Sequence, residues 1–178
     1  MGSLRYLLLY VMLATAFKVS CQEENAIRWA PDHRLSWSDF KAEPPQNPRV
    51  AAITASGISY RYSALEKRGQ MEVDWSIDSF FYPESSWYVP ETANKVILSH
   101  EQLHFDISEL FARKMRARVS NFSFSSNVKA EMKRIYEQIL LEMRAFQKRY
   151  DEETNYSRLL EKQLEWNQRI SEDLLSDN

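Results

Sequence analysis

Apolar residues change their spacing twice along this chain, and each change marks a different kind of element. From residue 6 to residue 17 they run almost unbroken. Between residues 51 and 81 they alternate in part with polar ones, over stretches 51–62 and 71–81 that are rich in β-branched and aromatic side chains. Alternation is the period of a strand with one buried face, and Glu66-Lys67-Arg68-Gly69-Gln70 supplies a turn, so the pattern predicts a hairpin or small antiparallel sheet. Further on the period lengthens. Val96, His100, Leu103, Ile107, Leu110 and Phe111 fall on one helical face, and Met132, Ile135, Ile139, Met143, Phe146 and Tyr150 on another. This spacing predicts a helix from residue 90 to about 119, a break at 120–126, a second helix capped by Ser126 or Asn127, and a last helix from about Tyr156 to Leu175. Strands first and helices later make an α+β fold.

The opening apolar run follows a single early Arg5 and ends among small residues, which reads as a signal peptide over residues 1–21 and leaves 22–178 as one domain. An exported protein, periplasmic or secreted, is the expectation. Without those residues the chain carries 21 basic against 25 acidic residues, a formal charge of −4, so nucleic acid is not an expected partner. Cys21 is the only cysteine. It is either the residue before ordinary signal cleavage or the acylated first residue of an outer-membrane lipoprotein, the one route by which a membrane enters the reading. Lys18, three places ahead, is a poor residue for lipid attachment and favours soluble export. Between leader and strands, Leu35-Ser36-Trp37-Ser38-Asp39-Phe40 reads as a short strand or a turn-anchored hook.

The chemistry is concentrated in His100, Glu101 and His104, an HExxH box that uses two of the three histidines. Residues four apart on a helix share a face, so both imidazoles reach one ion while Glu101 can polarise a water. The apolar stripe that holds both histidines sets them apart from the usual solvated face of a helix. This is the arrangement of zinc hydrolases: zinc as cofactor, His100 and His104 as ligands with bonds of about 2.0–2.1 Å, and Glu101 as general base. No phosphate-binding glycine loop and no serine triad competes with it in a chain with three glycines.

Several segments together resemble the secreted bacterial family called domain of unknown function 922, grouped with zincin-like peptidases. They are residues 35–40, 51–56, Ser86-Trp87, the box extended from His100 through Glu109, and Tyr150-Asp151-Glu152-Glu153-Thr154 with Gln163 and Trp166. The resemblance covers residues 35 to 174 and implies a small exported metallopeptidase-like domain of a Gram-negative bacterium with no settled substrate; a peptide or protein is the expected partner. One departure stands out. Where that family is expected to read Thr-x-His, this chain reads Thr154-Asn155-Tyr156-Ser157.

A catalytic zinc usually has three protein ligands, and Glu109, nine residues after His100, lies about 180° around the helix from it. Packing the stripe that ends at Tyr150 against the stripe of the box brings residues 150–156 towards the metal. Tyr156, at the position of the family's histidine, ranks first as third ligand and Asp151 second. Glu152 and Glu153 are further substitutes, and another register would bring Glu131 or Glu137 instead. His33 reads as an exposed residue. Two classes of function fit the sequence: a zinc-dependent peptidase, and a non-catalytic exported binding or scaffold domain on a zincin-like fold.

Overall fold

The computed structural model describes residues 25–176. The expected leader and Cys21 therefore lie outside the described residues. Five strands are followed by three helices, which bears out the α+β order: β1 (Ile27–Arg28), β2 (Ala52–Ile53), β3 (Ser56–Lys67), β4 (Gln70–Phe81), β5 (Trp87–Tyr88), α1 (Lys95–Ser120), α2 (Val128–Glu153) and α3 (Leu160–Ser176). No helix among the described residues is long and apolar enough to cross a membrane.

β3 and β4 form the expected hairpin, in register from Ser56 opposite Phe81 to Lys67 opposite Gln70. Arg68 and Gly69 close it with positive φ at both positions, 52° and 78°, the handedness that matches the twist of a two-residue hairpin turn. β1 joins the outer edge of β4 to give a three-stranded antiparallel sheet. Side chains two apart share a face, so Ile58, Tyr60, Tyr62, Val73, Trp75 and Ile77 point together at the helices.

The strand expected over residues 51–62 is broken at Thr54-Ala55. Ser86 Oγ accepts from the Ala55 N–H at 2.9 Å, so the chain before that point leaves the hairpin, and Ala52–Ile53 pairs with β5 in a separate two-stranded sheet. The hook is a single helical turn, Trp37–Asp39, in which Asp39 receives the Ser36 N–H. Leu35 and Phe40 pack from it onto Phe81 and Phe105 in a small satellite core.

α1 runs through the middle of the molecule, against the sheet on one side and α2 and α3 on the other. It starts five residues later than its apolar pattern suggests, because the Asn94 side chain accepts from the N–H groups of Val96 and Ile97 and caps it there. Leu103, Ile107, Phe111, Met115, Met132, Ile139 and Tyr150 form its principal core with the strand residues. α3 begins at Leu160 rather than Tyr156. Asn155, Tyr156 and Ser157 all have positive φ (46°, 53° and 71°), which no α-helix tolerates.

Candidate metal centre

Both histidines of the box project from α1 towards the end of α2, with their Nε2 atoms 3.3 Å apart. The fully buried Tyr150 sets where α2 ends against them: its ring stacks on His100 with centroids 4.5 Å apart, and its hydroxyl donates towards the His100 carbonyl. The next residue, Asp151, thereby places Oδ1 3.1 Å from His100 Nε2 and 3.0 Å from His104 Nε2. A tetrahedral zinc with bonds of about 2.0–2.1 Å holds its ligands roughly 3.3 Å apart. The triangle of two imidazole nitrogens and one carboxylate oxygen thus has the dimensions of one face of such a tetrahedron.

Proton bookkeeping also fits a cation. His100 Nδ1 lies 2.9 Å from Gln163 Oε1, an oxygen that only accepts, so Nδ1 carries a proton and, in the neutral ring, Nε2 is left with a lone pair. Asp151 is likewise an acceptor. A single proton on His104 Nε2 cannot bridge both neighbours, whereas a metal ion satisfies all three. Gln163, 1 % exposed, is itself held by Tyr150 and Asn167, so the orientation of His100 is set three groups deep.

Without a metal, the charges arrange themselves as an ion pair. Burial works against a charged His104, but its hydrogen bond to Asp151 and the nearby Glu101 and Asp151 carboxylates outweigh that, and its pKa stands above 6.5. Burial would raise Asp151, yet the hydrogen bonds and charge of the two imidazoles hold it well below the ordinary carboxylate range. Tyr150 is pushed far above the usual phenol range, chiefly by burial, and so stays a neutral donor.

Glu101 is 5 % exposed, and its carboxylate meets no hydrogen-bond donor among the described residues. It lines a cleft of about 260 Å³ together with His100, His104 and Asp151. Ala51 to Thr54 form another wall of that cleft, and Tyr156 and Arg158 lie on its lining as well. Thr54 Oγ1 donates to the Glu101 carbonyl, which ties the β2 segment to the box.

The residues singled out from sequence separate clearly in space. His100, His104 and Asp151 converge; Tyr156 lines the same cleft and is 48 % exposed. Glu131 instead receives Ser125, Glu137 pairs with Lys133, and Glu152 and Glu153 pair with Lys148 and Arg149. Glu109 turns to Arg113, Arg116 and Ser79 on the other side of α1. His33 is half-buried rather than exposed, and its Nε2 has no partner. The orienting role of Gln163 is not visible in the sequence, where its only signal is that it belongs, with Trp166, to the residues that carry the family resemblance; both lie on the buried side of α3.

Comparison with known proteins agrees with this picture over the part that holds the site. Residues 84–157, which include the box and Asp151, match the family model described as "Bacterial protein of unknown function (DUF922)". No curated protein and no solved structure matches the chain.

Proposed function

We propose that this chain, a DUF922 sequence by its central stretch, is an exported zinc-dependent hydrolase that acts on peptides. The observation that carries the reading is the 3.0–3.3 Å triangle of His100, His104 and Asp151, with the unpartnered Glu101 carboxylate in the same cleft. His100, His104 and Asp151 would hold the metal. When bound there, zinc polarises a substrate carbonyl and acidifies a water. Glu101, free of any competing donor, takes the proton from the attacking water and returns it to the leaving amine.

Two further features support a peptide as substrate. β2 pairs with β5 on one side only, and residues 51–54 line the cleft, so an extended chain can add to that edge by backbone hydrogen bonds. Tyr156 stands on the cleft lining as a substrate contact, while Asp151, which already bonds both imidazoles, serves as third ligand.

The test uses protein purified without added zinc. Metal analysis should find one zinc per chain, and a broad peptide library should be hydrolysed by the wild type but not by Glu101→Gln, whose amide cannot accept the proton and which should keep its metal. Equal rates for the two would remove Glu101 from the mechanism. Bound zinc with no hydrolysis of any peptide would instead favour a non-catalytic binding domain.

A further inference from the structure

On the far side of α1 from the cleft lies a larger, half-open cavity of about 710 Å³, lined by α1, α3 and the segment around Trp29. Trp29, Leu35, Leu98, Leu103, Leu174 and Leu175 give it mainly apolar walls. Its size falls within the roughly 300–1,000 Å³ typical of small-molecule sites.

The polar groups at one end are short of acceptors. Lys95 and Ser99, one turn apart on α1, both line the cavity, and Asn167 Nδ2 donates to Ser99 Oγ at 2.9 Å. Among the described residues Lys95 has no ion-pair partner, the Ser99 hydroxyl proton has no acceptor, and the second Nδ2 proton of Asn167 is likewise unused. Asp106, the one carboxylate on the lining, is taken by Trp29, Gln102 and Arg34. An apolar body with an anionic head supplies what both regions lack.

The same end is joined to the metal centre. Asn167 Oδ1 accepts from Gln163 Nε2 at 2.9 Å, and Gln163 Oε1 meets His100 Nδ1 at 2.9 Å. A head group that fixes Asn167 also fixes Gln163, and through it the ring and tautomer of His100. We infer that this cavity binds an apolar monocarboxylate, with its head at Lys95, Ser99 and Asn167, and that occupancy tightens metal binding at His100 and His104. The coupling rests on the metal reading above; the binding does not.

Decanoate is a suitable probe, with decan-1-ol as the uncharged analogue, each titrated calorimetrically into the zinc-free and the zinc-loaded full chain. Decanoate should bind, decan-1-ol about tenfold more weakly or not at all, and the exposed-site variant Lys95→Ala should weaken decanoate by about tenfold through loss of a charge-assisted hydrogen bond. Because coupling is reciprocal, zinc-loaded protein should bind decanoate about fivefold more tightly than zinc-free protein. No decanoate binding, equal binding of the alcohol, or an unchanged affinity in Lys95→Ala would overturn the site. Equal affinity with and without zinc would overturn the coupling. Should the wild type take up no zinc, the proposed hydrolase fails, while the comparison of acid with alcohol on the zinc-free chain still decides the site.

Discussion

Gln163 acts on the proposed metal site at one remove. Its Oε1 fixes the proton on His100 Nδ1, and such orienting partners are worth about 10–100-fold in metal affinity. Gln163→Leu should therefore weaken zinc binding by that order, measured by competition with a chelator, while circular dichroism shows the helices retained; an unchanged zinc affinity would leave Gln163 a packing residue. His104 supplies a pH signature. Its raised pKa means that, in the zinc-free protein, the stability contributed by its proton is fully present below pH 6.5 and lost as pH rises through the raised value. Asp151, with its depressed pKa, contributes above pH 3.8 and loses that only as pH falls through the depressed value. The ion pair accordingly supports the zinc-free fold from weak acid towards neutrality. Zinc must displace the His104 proton, so its affinity should climb by about tenfold per pH unit until that group is neutral, then level off. A flat profile across this range would show that His104 is not a ligand.

At the scale of elements, the junction of α2 and α3 combines strain with function. Thr154, wholly buried, donates to the Tyr150 carbonyl and ends α2, after which three successive non-glycine residues adopt left-handed backbone. For an aromatic residue this conformation costs on the order of 1–3 kcal/mol, and glycine removes most of that cost. Tyr156→Gly should thus stabilise the protein by about 1 kcal/mol, seen as a rise of about 2–4 °C in Tm. If Tyr156 also contacts substrate, the same variant loses activity as it gains stability. A lowered Tm would mean that its ring packs against the fold more strongly than its exposure indicates.

For the whole molecule, the metal centre joins elements that are distant in the chain. α1 supplies two of the converging side chains and α2 the third, and Gln163 of α3 orients the first of them. A ligand that binds only the native state stabilises it by mass action, about 4 kcal/mol at a thousandfold excess over Kd. Zinc at that excess should raise Tm by about 10 °C over the chelator-treated protein, and His100→Ala should abolish the shift. A shift that survives in this variant would locate the metal elsewhere.

The local pattern of residues determined much of this. The alternation in residues 71–81, the helical stripes of α1 and α2, and the i, i+4 spacing of His100 and His104 depend on one element at a time, so periodicity alone reveals them. Element ends were less legible, since Asn94 and the left-handed turn at Asn155 act through hydrogen bonds and dihedral angles rather than through hydropathy. The break at Ala55 needed Ser86, 31 residues away, to bond its N–H. The same holds for the carboxylate that meets both imidazoles. Several acidic residues near the end of α2 look alike in sequence, and only the packing of Tyr150 onto His100 decides that Asp151, rather than Glu152 or Glu153, turns inward. Spacing along the chain specifies which side chains share a face, whereas the register between two helices is set by contacts that exist only once both are packed.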